Sequence, residues 1–386
     1  MFISRFVKTL PQALFVLIFA LVLPVRAEII TPSQYAVIMD FDTGRVLYSK
    51  NPDEPMKPAS MAKMMTTYIM FSQISEGSLK LEDKFIVSEK AYRKGGSRMF
   101  VEIGSQVSVE DLLRGIIVQS GNDAAIVVAE GIAGTEEAFA EEMTATARKL
   151  GMNNTTFGNA TGWPDPATST TARDLAILAR AMIKNFPELY KIYAEKTFTY
   201  NGIKQGNRNP LLYALDAADG LKTGHTNESG YGLTASAVVD GQRIVMVING
   251  LQSNAERKNE SIRLMNLAFR IFRKYDLLVA DAPLGKADVW MGVEQQVDAV
   301  APETVSRVMD RKAHENMTMR VEINPDISAP LSRGAEIGEA IFMIEGKEER
   351  FPLVAARDVE ELPWHRKIGA FFSTILFGSE PATKEE

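Results

Sequence analysis

An α+β fold is predicted for this chain: an antiparallel sheet carrying a helical cluster, then a small β-rich C-terminal domain and a terminal amphipathic helix. Three observations predict it. Strand-like runs stand near residues 35–50 and again from Leu221 onward. Amphipathic helical patterns fill the interval. From Leu278 to Pro363 helical periodicity gives way to short alternating runs such as "MTMRVEI", "AIFMIEG" and "RFPLVAA", broken by Pro and Gly. A sheet assembled from both ends of a domain, with the inserted helices packed on it, buries all of these faces at once. The 386 residues are 46% apolar, which supports a sizeable core.

The first element is read as a leader. Basic Arg5 and Lys8 precede an apolar run from Ala13 to Leu23, which ends in the small-x-small pattern Val25-Arg26-Ala27. Eleven residues are too few for the roughly 20 needed to span a bilayer, so residues 1–27 are expected to be a cleaved signal peptide. Its removal takes the net charge from -6 to -9, so nucleic acid is not an expected partner.

"YAVIMDFDTGRVLYSKN" reads as two strands joined at Asp42-Thr43-Gly44. A helix begins near Pro58, with Met61, Met64, Met65, Tyr68 and Ile69 along one buried stripe. Two buried helices are predicted between Ser108 and Ala133, the first opened by a capping pair, Ser108 and Asp111. "TARDLAILARAMIKNF" is another amphipathic helix. "YGLTASAVVDGQRIVMVIN" is a hairpin turning at Asp240-Gly241, and a helix follows over Asn259–Lys274.

These elements divide the chain into residues 1–27, 28–277, 278–363 and 364–386. The last segment places Trp364, Ile368, Phe371, Phe372 and Ile375 on one helical face beside Arg366 and Lys367. The stretch Trp364–Gly378 is too short to cross a bilayer but long enough to lie in its surface, and an acidic tail follows it.

Composition narrows the chemistry. With no cysteine, disulfides, thiol nucleophiles and Cys-ligated zinc are excluded. Only His225, His314 and His365 are present, so a multi-His metal site is not expected, nor is any cofactor. Hydroxyls, amines and amides remain.

"KPASMAKMMT" sets Ser60 one helical turn before Lys63. A serine hydroxyl needs a neighbour to take its proton, and residues three apart on a helix share a face. Backbone N–H groups at the helix start could stabilise an oxyanion. Lysine serves as that base only if its value falls by roughly three units from ~10.4, about 4 kcal/mol, so a buried pocket with a second cation is required. By itself the pair is not specific, since a chain of this length holds about one by chance. Two further motifs add weight. "VQSGNDAA" puts Ser120 and Asn122 in a tight break between buried helices, where a turn with a cap is the plainer role. "GLKTGHT" puts Lys222 in a strand, where an edge lysine facing solvent is the plainer role.

Ser60-Met61-Ala62-Lys63, Ser120-Gly121-Asn122 and Lys222-Thr223-Gly224 stand in the order of the motifs of the penicillin-recognising serine enzymes. The longer matches "PASMAKMMT", "SGNDA" and "GLKTGHT" resemble the low-molecular-mass penicillin-binding proteins, serine-type D-alanyl-D-alanine carboxypeptidases with a C-terminal membrane-associated helix. The resemblance covers nearly all of the mature chain. It implies a β-lactamase/transpeptidase-like domain whose Ser60 is acylated by peptidoglycan stems ending in D-Ala-D-Ala, or by β-lactam antibiotics. It further implies Lys63 as base, Ser120 as proton relay to the departing D-alanine, and Lys222 as the cation that separates the lysine values. Asn122 would orient Lys63, and the backbone N–H groups of Ser60 and His225 would form the oxyanion hole. Thr223, Gly224 and Arg208 fall at substrate-binding positions, with Arg208 as carboxylate partner; Arg257 also matches a family arginine. The implied location is the periplasm, attached peripherally to the inner membrane, with roles in peptidoglycan synthesis and cell shape.

One departure stands out. Many relatives carry a polar His-Tyr or His-Ser pair before "STARD", whereas "DPATSTTARD" has Ala167 and Thr168 there. Three other readings compete. A class A β-lactamase needs a deacylating glutamate, and none lies between Glu142 and Glu188. A non-catalytic wall-binding scaffold would have no use for a suppressed lysine. An endopeptidase acting on cross-links shares the chemistry.

Overall fold

The computed structural model describes residues 29–366. The expectations for residues 1–27 and, beyond Arg366, for the terminal helix lie outside the described residues.

From Pro32 onward the first sheet has five antiparallel strands, in the order Val46–Lys50, Tyr35–Asp40, Gln242–Leu251, Gly230–Val239, Ala218–Thr226. It is built from both ends of the domain, as the sequence predicts. Asp240 and Gly241 turn the hairpin with φ of +49° and +75°, the left-handed pair that a two-residue turn requires. Opposite Val37 lies Val247, and opposite Lys222 lies Thr234.

Side chains alternate along these strands, and both faces are buried. Val37, Met39, Val245 and Val247 join the core of the inserted helical cluster. The intervening Ile38, Ile244, Met246 and Ile248 are buried as well, and the helix Asn254–Ile271 packs on this sheet. That helix starts five residues before the expected Asn259 and ends three before Lys274. Ser253 caps it by accepting from the Glu256 N–H at 3.0 Å, and its polar first turn offered no apolar stripe to read. Phe272–Leu278 is instead a strand, paired with Val305–Asp310.

Within the cluster, the helix Lys63–Glu76 is buried at every position from Lys63 to Phe71. Over that stretch the expected stripe widens to every side, Thr66 and Thr67 included, and a helix buried all round belongs at the centre of a core. Its first residue is a lysine. The helices Val109–Ile117 and Asn122–Ala133 follow the sequence reading, with Ser108 capping the first by accepting from Asp111 N–H at 3.1 Å.

A second five-stranded antiparallel sheet runs Pro283–Asp288, Gln296–Val300, Lys347–Ala355, Glu336–Ile344, Thr318–Ile323. Leu278, Val297, Ile337, Phe342 and Leu353 belong to a separate core here. No helix among the described residues is long and apolar enough to cross a membrane.

Candidate active site

Ser60 sits in a single 3-10 turn, Ala59–Ala62, which runs directly into the helix Lys63–Glu76. The continuity keeps the two side chains on one side, and Lys63 Nζ lies 2.9 Å from Ser60 Oγ. Ala59 enters the turn at φ +47°, a left-handed conformation that costs an alanine about 1–3 kcal/mol. Two glycines let other segments press against this turn. A Cβ at Gly162 would lie 1.8 Å from the Ala59 carbonyl oxygen, and one at Gly224 would lie 2.7 Å from that of Pro58. Gly224 is thus demanded by close approach of the edge strand Ala218–Thr226 to the turn that carries Ser60.

Lys63 is fully buried. Apart from its contact with Ser60, it donates to Asn122 Oδ1 at 2.7 Å and to the Thr161 carbonyl at 2.6 Å. Asn122 opens its helix with its own amide fixed. Nδ2 donates to the Gly95 carbonyl at 2.8 Å, which leaves Oδ1 facing the amine. Ser120, in the break before that helix, adopts φ +60°, and its Oγ accepts from Lys222 Nζ at 2.9 Å. Lys222 lies mid-strand on the sheet edge yet is only 2% exposed, so the solvent-facing alternative does not hold.

Lys63 is brought down to about 7, chiefly by burial. The Arg208 guanidinium and Lys94 contribute to that lowering, while Asp123 and Glu136 oppose it. Lys222 falls well below the ordinary lysine range, again chiefly by burial, then through the charges of Lys63, Arg208 and Arg257. Two amines in one desolvated pocket cannot both hold a proton cheaply. The sequence reading required a second cation beside Lys63, and the cations that lower it are Arg208 and Lys94 rather than Lys222.

Arg208 is exposed beside these residues, its Nη1 donating to Ser97 Oγ. Thr223 follows Lys222 on the edge strand and is buried. His225 is exposed and stacks on Tyr231 at 3.9 Å. Arg257 is largely buried: Nη2 donates to Asn254 Oδ1 at 2.6 Å, and Nη1 lies 3.5 Å from the carbonyls of the paired Gly224 and Gly232. It braces the hairpin that carries Lys222. Ala218–Thr226 is the last strand of its sheet, and such an edge can accept an extended peptide.

Sequence reasoning missed three contributors. The Thr161 carbonyl carries no side-chain signal. Gly162 is legible only once its neighbour is known. Asp123 reads as an ordinary acidic residue in a first helical turn. Fully buried, its carboxylate accepts from the N–H groups of Met99 at 2.8 Å, Phe100 at 2.8 Å and Val101 at 3.3 Å, fixing the loop that flanks Asn122. The departure at Ala167-Thr168 also has a structural use: buried Thr168 accepts from Gly158 N–H at 2.9 Å through Oγ1, and its carbonyl accepts from Lys57 at 2.7 Å.

A hydroxyl against a buried, readily neutral amine, with a second buried amine on a second hydroxyl, is the arrangement that acyl transfer to a serine with a lysine base would need. The family profile for D-alanyl-D-alanine carboxypeptidases covers residues 25–253, and that for the C-terminal domain of penicillin-binding protein 5 covers residues 272–361. The D-alanyl-D-alanine carboxypeptidase DacC of Escherichia coli (strain K12) is 38% identical over 348 residues, which are 88% of this chain and 85% of that protein. The crystal structure of penicillin-binding protein 5 from Haemophilus influenzae superposes with a TM-score of 0.72 at 36% identity, covering 85% of this chain and 98% of that one. Penicillin-binding protein D2 from Listeria monocytogenes, solved in an ampicillin-bound form, matches with a TM-score of 0.58 at 28% identity, over 63% of this chain and 99% of that one. The chain belongs to the D-alanyl-D-alanine carboxypeptidase family, serine-type hydrolases of the low-molecular-mass penicillin-binding group.

Proposed function

We propose that Ser60 is the acylated nucleophile in removal of the terminal D-alanine from peptidoglycan stems, with Lys63 as its base. The observation that carries this is the 2.9 Å contact between Ser60 Oγ and an amine brought down to about 7. Lys63 takes the hydroxyl proton as Oγ attacks the carbonyl carbon of the scissile bond. The protonated Lys63 then gives that proton up through the Ser120 hydroxyl, held by Lys222, to the departing amine, so the amide C–N bond breaks, Ser120 ends as a hydroxyl and Lys63 returns to neutral. Water then hydrolyses the Ser60 ester. The exposed Arg208 fork suits the substrate's terminal carboxylate, which also desolvates the site as it docks. Thr223 extends that subsite, and the N–H groups of Ser60 and His225 serve the oxyanion.

β-Lactams enter the same reading as covalent inhibitors. Intact mass after mixing with benzylpenicillin should rise by one penicillin per chain, on the peptide containing Ser60. Ser60→Ala should show no adduct and should lose D-alanine release from a pentapeptide by at least about 10⁴-fold. Release that survives in Ser60→Ala sinks the reading.

Export to the periplasm and peripheral attachment to the inner membrane belong to the same proposal, supported by the leader pattern and by the apolar spacing from Trp364 to Ile375. The mature chain should pellet with phospholipid vesicles, and a chain ending at Pro363 should stay in the supernatant; equal pelleting of the two contradicts it.

A further inference from the structure

The loop that supplies the Thr161 carbonyl is built around a side chain that no reaction step touches. Asn159 Oδ1 accepts from Thr161 N–H at 3.1 Å, from Thr161 Oγ1 at 2.8 Å and from Trp163 N–H at 3.1 Å. Its Nδ2 donates to the Trp163 carbonyl at 3.0 Å. One amide thereby closes residues 159–163 into a turn. The turn is also held from outside: Gly162 abuts Ala59, the Trp163 ring abuts Gly96, and Lys94 Nζ lies 4.7 Å from the centre of that ring.

What this turn delivers follows from the valence of a neutral amine, which has two N–H bonds and one lone pair. Asn122 Oδ1 and the Thr161 carbonyl, at 2.7 and 2.6 Å, occupy both hydrogens. The lone pair is then left facing Ser60 Oγ. With one acceptor gone, the amine could turn about its Cε–Nζ bond and the lone pair would no longer be fixed.

We propose that Asn159 is a positioning residue of the reaction: by aiming the Thr161 carbonyl at Lys63, it fixes the amine's lone pair on the Ser60 hydroxyl. This rests on the reading of Lys63 as base. The charges facing Lys63 are those of Arg208, Lys94, Asp123 and Glu136, with Lys222 in the same pocket. Asn159 adds none, so its effect is one of geometry.

The test is the second-order rate constant for acylation by benzylpenicillin, measured from pH 5.5 to 9 on the full chain, for wild type, Asn159→Ala and Asn159→Asp. In Asn159→Ala the turn loses its hub. The plateau should fall about 10–100-fold, the effect of a small misplacement at a reacting centre. Its midpoint should move to lower pH, because a carbonyl that favoured the charged amine has withdrawn. Asn159→Asp keeps the three acceptor contacts and adds a negative charge. Its plateau should stay close to that of wild type, and its midpoint should move to higher pH. Opposite shifts from one position are not what a merely destabilised loop would give. Variants that match wild type in plateau and midpoint overturn the proposal, and so does a lower plateau with an unmoved midpoint in both. Should Asn159→Ala fail to fold by thermal melting, Asn159→Gln, which keeps the amide but shifts it by one methylene, decides instead: a lower plateau with a lower midpoint supports, and a wild-type plateau and midpoint overturn. Failure of wild type itself to acylate would instead remove the reading of Ser60 and Lys63 beneath it.

Discussion

Replacing Lys63 with methionine is expected to slow acylation by about 10³–10⁴-fold, the upper range of what a positioned base contributes. The same substitution should change the pH dependence of stability in a definite direction. An amine that falls from 10.5 to about 7 on folding is penalised in its charged form. Above pH 10.5 it is neutral in both states and the penalty is absent. Between those values the unfolded chain binds more protons, so stability drops as pH falls. Below about 7 the penalty is complete, at about 5 kcal/mol. Methionine fills a similar volume and carries none of it. It also leaves the Asn122 Oδ1 and Thr161 acceptors without their donor, at about 1–3 kcal/mol each. The variant should thus melt below wild type at pH 10 and gain on it steadily toward pH 7. Melting curves that stay parallel across this range would show that no buried amine changes its charge here.

The second large effect is structural. Asp123→Ala removes a fully buried carboxylate and leaves the N–H groups of Met99, Phe100 and Val101 unpaired, with Arg98 Nε 3.8 Å from the lost charge. Breaking such a cluster costs about 3–5 kcal/mol, which lowers Tm by roughly 10 °C in a domain of this size. Activity should fall as well. Asn122 takes its position from this loop, through its N–H on the Ser97 carbonyl at 2.8 Å and its Nδ2 on Gly95. Asp123→Asn, which keeps one acceptor oxygen, should fall between. A Tm unchanged within about 2 °C in the alanine variant would mean that the loop is held by other contacts.

Where the sequence could be read, the reason is local. The Asp240-Gly241 turn, the Ser108 cap and the Ser60/Lys63 spacing each state their geometry within a few residues. Lys222 shows the limit. A lysine in a strand is compatible with an exposed edge, and only the helical cluster packed over it makes it a buried amine. The early start of the helix Asn254–Ile271 escaped because capping, not an apolar stripe, begins it. Thr161 and Asn159 were invisible for a different reason. One acts through its carbonyl, which every residue has, and the other acts through its neighbour's backbone. Arg208 was legible as a carboxylate partner, but its second effect, lowering Lys63, depends on a distance that no motif encodes.

The account depends on Lys63 being neutral often enough, near neutral pH, to accept the Ser60 proton. The most direct measurement is the acylation rate constant of the wild-type protein with benzylpenicillin as a function of pH. It should rise with pH along a single-proton limb whose midpoint lies at about 7. A rate independent of pH between 5 and 9, or a midpoint close to that of an ordinary lysine near ~10.4, would contradict it.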